Sequence, residues 1–155
     1  MSVTHPALQN TAVVSTAQTA PVWRVAVVAT AAAAVATEAV ATVARAFGAS
    51  LEAGSIGADT SERIPIAGFA TMTLMCGAVG VLLALAFARW AKRPDRTYNI
   101  VAVALTALSF VPSLTAGHTS GGTKVTLCLA HVVAAAIIIP AVSARLSRVV
   151  RPSVR

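Results

Sequence analysis

Two side chains in this sequence could do chemistry where chemistry is costly: Glu38 and His131, each inside a long apolar run. An acid and an imidazole at one depth could exchange a proton or coordinate a small cation or polar ligand. Ionisable groups inside membrane segments normally face a bundle interior, a partner or water. With a rise of about 1.5 Å per residue, Glu38 sits about 12 Å from the end of its run near Ala46, and His131 about 10 Å from Lys124 at the start of its own. Thr71, Thr73 and Ser109, on two further apolar runs, fall within about one 5.4 Å turn of the same level. Glu38, His131, Thr71, Thr73 and Ser109 are therefore the candidate intramembrane polar site.

Two readings of that site stay open. In one, a Glu38–His131 pair serves a proton- or ion-coupled carrier or a channel-like protein. In the other, the polar layer fixes helix register and rotation. The second is preferred, because no second acid is present for a relay and a bundle-interior His can simply donate to a backbone carbonyl or hydroxyl. Arg45 lies two turns from Glu38 on the same face, and is expected to snorkel outward rather than reach it.

The remaining reactive residue types form no constellation. Cys76 and Cys128 lie at different depths, so they are expected to stay unpaired and to pack as small apolar side chains. No Cys-x-x-Cys, zinc spacing, Gly-rich phosphate loop or nucleophile elbow is present. No catalytic residue, metal site or cofactor is assigned, and the chain is not expected to be an enzyme. His5 and His118 fall in a tail and a loop and are read as solvated.

The elements that must position these residues follow from composition. Of 155 residues, 57% are apolar and 11% charged, against about 45 to 50% and about 25% in ordinary soluble domains. A mean hydropathy of +0.79 is more apolar surface than one compact domain of this size could hide, which makes lipid the expected solvent. Crossing a hydrocarbon core of about 30 Å takes about 20 apolar residues. Four such spans are expected, over residues 25–46, 65–89, 99–116 and 124–145. The apolar stretches 66–88, 100–116 and 125–144 hold no charged residue, and 25–44 holds only Glu38.

Helix is the conformation expected for each span, since lipid tolerates no unpaired backbone. The expected fold is all-α, a four-transmembrane-helix bundle with residues 23–146 as the membrane domain. The stretch 100–116, of 17 residues, is the shortest and carries Pro112. The first span is marginal alone: its six Val supply about −2 kcal/mol on the insertion scale, against about +2.5 to +3.5 for a mid-span acid. It needs its neighbours. Cys76, Gly80, Ala84 and Ala88 on the second span, and Ala29, Ala33, Thr37 and Ala41 on the first, are small residues four apart that would allow close backbone approach.

Outside the spans, residues 1–22 lack charge and a helical period and read as a flexible tail. Residues 47–65, rich in Gly and Ser and holding Glu52, Asp59, Glu62 and Arg63, read as a solvated loop with at most one short turn. Residues 147–155 read as a basic tail.

The charges set the orientation. Arg24, Arg89, Lys92, Arg93, Arg96, Arg145, Arg148, Arg151 and Arg155 gather on one side; Arg45, Arg63 and Lys124 lie on the other. Lys and Arg are retained on the cytoplasmic side, so both termini are expected inside, in the cytoplasmic (inner) membrane, with the 47–65 loop outside. Trp23 and Trp90 fall at the inner boundary, where indoles favour headgroups. Arg89, Lys92, Arg93, Arg96, Arg145, Arg148 and Arg151 are read as lipid headgroup contacts. Nucleic acid is not an expected partner, because the basic tail has no aromatic residue for base stacking. Besides the bilayer, a homo-oligomer and a membrane-protein partner both stay open. One competing reading takes Ala44-Arg45-Ala46 as a signal-peptide cleavage site, which would remove Glu38 and leave three spans; the long uncharged leader and the acid in the apolar run weigh against it.

Four strings in order, Ile64-Pro-Ile-Ala-Gly-Phe69, Arg93-Pro-Asp-Arg-Thr-Tyr98, Leu108-Ser-Phe-Val-Pro112, and Leu129-Ala-His-Val-Val133 leading to Ile139-Pro140, carry a resemblance. Over about residues 22–146 the chain resembles a family of small four-helix bacterial membrane proteins catalogued as a domain of unknown function numbered 6069. The resemblance implies an integral membrane protein from high-GC bacteria with no assigned activity, and it supplies no catalytic residue. It places His131 and Pro112 at the pattern's recurring polar and helix-breaking positions. Together these readings give an uncharacterised multi-pass membrane protein, a non-enzymatic accessory, interaction or small-ligand-binding bundle, with the coupled carrier as the alternative.

Overall fold

The computed structural model describes residues 20–54 and 59–149. Four helices account for most of them: α1 (Val22–Ala46), α2 (Gly68–Trp90), α3 (Pro94–Thr115) and α4 (Gly121–Val149). Each is long and apolar enough to cross a membrane. The architecture is an all-α bundle, as the apolar runs require. Helices alternate in direction, which the two buried clusters make plain. One joins the start of α1 (Val22, Ala26) to the far part of α2 (Ala84), the start of α3 (Tyr98) and the far part of α4 (Val142, Leu146). The other joins Ala41 of α1, Phe69 of α2 and Ala130 of α4 to Leu51 of the α1–α2 connection. We call these the basic end and the hairpin end.

α1 packs along both α2 and α4, and α3 packs chiefly along α4; α2 meets α3 only thinly and α4 least of all. The small residues of α1 explain its central place: Ala29, Ala33, Thr37 and Ala41 are all buried, so two neighbours approach its backbone at once. On α2 the expected stripe holds at Ala84, which is buried, and at Ala88, which packs against the basic-end cluster, but not at Cys76 and Gly80. Cys76 is exposed and nothing lies within 4 Å of a Cβ built on Gly80. The buried residues there are Phe69, Gly77 and Ala84. A Cβ on Gly77 would meet Thr30 Cγ2 at 2.1 Å, so α1 and α2 touch where only hydrogen fits. Cys76 is thus not the buried packer expected, whereas Cys128 is half-buried and both thiols are free.

The element boundaries shift by a few residues from the spans read in the sequence. α3 starts at Pro94 rather than near 99, because Pro is well suited to the first helical position and Asp95 stands in the first turn. α4 runs from Gly121 to Val149, so residues 147–149, read as tail, continue the helix. Ser120 Oγ accepts from Thr123 N–H at 3.2 Å, which caps that start. Pro112 and Pro140 lie inside α3 and α4. Residues 1–19, most of the expected N-terminal tail, and 150–155, which include Arg151 and Arg155, lie outside the described residues.

The α1–α2 connection is more ordered than the loop expected. Glu52–Ala53 (β1) and Glu62–Arg63 (β2) pair antiparallel, with Glu52 opposite Arg63. Their ladder extends through Ile64 N–H to Leu51 O at 2.8 Å, and Leu51 is fully buried. Gly54 N–H donates to Gly117 O at 3.2 Å, which docks the hairpin on the α3–α4 connection. A side chain at Gly54 would strike Thr60 O at 2.6 Å and Gly117 O at 2.7 Å, so this approach requires glycine.

Candidate intramembrane polar site

The start of α2 creates the demand that Glu38 meets. A helix opens with N–H groups that have no intrahelical acceptor, and Ser, Thr, Asp or Asn just before it usually supplies one. Here Ile64, Pro65, Ile66 and Ala67 precede the helix, and no side chain of its own caps it. Ala67 adopts a left-handed φ of 67°. Glu38 on α1 closes the gap from a neighbouring helix. Its Oε1 accepts from Ala67 N–H at 3.0 Å and its Oε2 from Ala70 N–H at 3.2 Å.

Arg45 completes the arrangement. Its Nη1 donates to Glu38 Oε1 at 3.0 Å, while Nη2 donates to Pro65 O at 3.1 Å and Ile64 O at 3.4 Å. Arg45 therefore turns back toward Glu38 instead of snorkelling outward, because the carboxylate and two carbonyls offer it charge-assisted acceptors within its own reach. One acid and one guanidinium on α1 thus hold both the chain entering α2 and the first turn of α2. With side-chain exposures of 19% for Glu38 and 26% for Arg45, the pair is mostly screened from its surroundings.

His131 stands apart from this cluster. Its Nδ1 lies 2.7 Å from Leu127 O one turn earlier, and its ring tilts at 54° against Phe110 of α3 with centroids 6.0 Å apart. No hydrogen bond or ion pair joins it to Glu38 among the described residues. Matching depth was the basis for pairing them. Rotation decides otherwise, because Glu38 faces α2 while His131 faces α3.

The hydroxyls divide in the same way. Thr73 Oγ1 lies 3.0 Å from Thr37 Oγ1, and Thr37 also donates to Ala34 O at 3.1 Å, which ties α2 to α1 one turn below the Glu38 cap. Thr71 is exposed and its N–H returns to Ala67 O. Ser109 donates to Thr106 O at 2.6 Å on its own helix. Of the five expected residues, Glu38 and Thr73 share the α1–α2 interface; His131, Ser109 and Thr71 do not join them. Sequence reasoning placed Thr37 on the contact face of α1 but missed its bond to Thr73, and it missed Gly77 and the full part played by Arg45. The missing signal was present: α2 opens without a capping residue, so an acceptor had to come from elsewhere.

Two shallow grooves adjoin at the hairpin end. One of about 390 Å³ runs between Val40 and Val43 of α1 and Val125 and Leu129 of α4. The other, about 530 Å³, lies by Phe47, Ser50 and Ser120. Neither includes Glu38 or His131. Among the described residues no group of His, Cys, Asp and Glu is placed to hold a metal ion.

The family of unknown function DUF6069 matches residues 17–148. The chain belongs to this family. The match spans all four helices together with the capless entry to α2 at Ile64-Pro-Ile-Ala-Gly-Phe69, so the clip between Glu38, Arg45 and the start of α2 lies wholly inside the DUF6069 region. No curated protein and no solved structure matches the chain.

Proposed function

We propose that this DUF6069 member is a multi-pass protein of the cytoplasmic membrane, non-enzymatic, with both termini inside, that works as an accessory or interaction subunit. The observation that carries the reading is the engagement of both Glu38 oxygens by donors of the chain itself. An acid in this state holds helices in register and is poorly placed to carry a proton across a membrane. Four apolar crossings and the one-sided distribution of Lys and Arg support the location and orientation.

The test uses purified chain in vesicles loaded with a pH-sensitive dye, under an imposed pH gradient and membrane potential. Wild type and Glu38→Gln should collapse the gradient no faster than protein-free vesicles. A proton flux in wild type that Glu38→Gln or His131→Gln abolishes would overturn the reading in favour of a coupled carrier. Labelling a C-terminal tag in intact cells with an impermeant reagent tests the orientation, and reaction from outside would reverse it.

A further inference from the structure

Most cations at the two ends of the bundle are in different states, with Arg145 at the basic end an exception that donates through Nε to Ala20 O. At the hairpin end two cations have protein acceptors: Arg45 holds Glu38, Ile64 O and Pro65 O, and Lys124 Nζ donates to Leu114 O at 2.9 Å. At the basic end Arg89, Lys92, Arg93, Arg96 and Arg148 are all exposed. None of the five side chains has a hydrogen bond or ion pair with the described residues. They come from the end of α2, the connection to α3, the first turn of α3 and the end of α4, and the single acid among them is Asp95. Trp90, 78% exposed, and Trp23, 48% exposed, ring the same end, and Arg24 lies over the Trp23 ring at 5.3 Å. Uncompensated cations beside exposed indoles match a headgroup layer that carries negative charge, since Trp settles at headgroup depth and Lys and Arg gain from anionic lipid.

We infer that Arg89, Lys92, Arg93, Arg96 and Arg148 form a binding surface for the phosphate headgroups of anionic phospholipids in the leaflet at the basic end. The inference rests on the membrane reading above and adds a partner to it. Zwitterionic lipid offers the same phosphate beside its own cation, so selection for net-anionic lipid is the distinguishing property. Each cation near an anionic surface multiplies affinity by about fivefold, and the attraction weakens as salt shortens its range.

The experiment reconstitutes the full chain into vesicles of phosphatidylcholine with a minority of phosphatidylglycerol, then extracts it gently and quantifies the lipid that stays bound. Phosphatidylglycerol should be enriched over its bulk share by about fivefold or more, with the enrichment falling as salt rises. A variant with all five cations changed to Gln should hold the two lipids in their bulk ratio. The variant Arg89→Lys, Arg93→Lys, Arg96→Lys and Arg148→Lys should retain the enrichment. Wild type without enrichment, an enrichment flat in salt, or a neutralised and folded variant that keeps it would each overturn the inference. Displacement by inorganic phosphate or by RNA at equal charge would overturn it too, by assigning the surface to a soluble anion. If the neutralised variant loses its helical circular dichroism, the salt titration of wild type still decides. A chain that stays in the aqueous fraction without detergent would sink the membrane reading instead, which keeps the two failures distinct.

Discussion

Glu38→Ala should lower the stability of the bundle in detergent by about 2 to 4 kcal/mol, among the largest losses available to one substitution here. It removes the acceptor of the Ala67 N–H just before α2 and of the Ala70 N–H in its first turn, and leaves the Arg45 guanidinium without its counter-charge. Stranding one partner of a screened ion pair costs about 3 to 5 kcal/mol when fully buried, and the residual exposure of this pair reduces that. Arg45→Ala should cost less, because Glu38 keeps its two backbone donors. The double variant should be more stable than the sum of the single losses predicts, by about 1 to 2 kcal/mol, as expected for groups in one network. Glu38→Ala combined with His131→Ala should instead be additive to within about 0.5 kcal/mol. Unfolding in mixed micelles, followed by circular dichroism, measures all of these. Coupling between Glu38 and His131 as large as that between Glu38 and Arg45 would contradict the arrangement described.

Gly77→Ala should be nearly as damaging, by about 1 to 3 kcal/mol, the usual range for one extra carbon in a filled interface. The added Cβ would lie 2.1 Å from Thr30 Cγ2, 2.9 Å from its Oγ1 and 3.1 Å from its Cβ. Thr30 is β-branched on a helix and has few rotamers to retreat into, so α1 and α2 must move apart. Thr30→Ala removes the two nearest atoms, and the combined variant should recover most of the loss. Gly80→Ala, on the same helix, meets nothing and should be neutral or slightly stabilising through higher helix propensity. If Gly77→Ala and Gly80→Ala behave alike, the close approach of α1 and α2 is wrong.

These two sites mark where the sequence was legible and where it stopped. Apolar runs of crossing length fix the number of helices, because lipid allows little else, and Glu38 stands out because an acid in such a run must be met. Depth along a helix can be counted in residues; rotation about its axis cannot, unless one face is distinctive. The Ala-rich α1 is distinctive on several faces at once. That is why Glu38 and His131 were matched in level but not in direction, and why the stripe through Cys76 and Gly80 looked as good as the true face through Thr73, Gly77 and Ala84. The hairpin was hidden for another reason. Strands of two residues leave almost no alternation to read, and what holds them is docking of Gly54 on a connection more than sixty residues later.

The clip on α2 also bears on how the protein is made. A first helix with an acid about two-thirds of the way along is marginal alone; Arg45 on the same helix meets that acid, but its other donors are peptide groups 29 and 32 residues downstream. At synthesis rates of about 5 to 20 residues per second, the ribosome needs about 2 to 6 seconds to deliver them. For that interval the nascent helix is an unfinished object at the insertion machinery, and commitment belongs to the pair. The first helix of this protein is then completed by the second, whose opening peptide groups take up the acid that the first one carries.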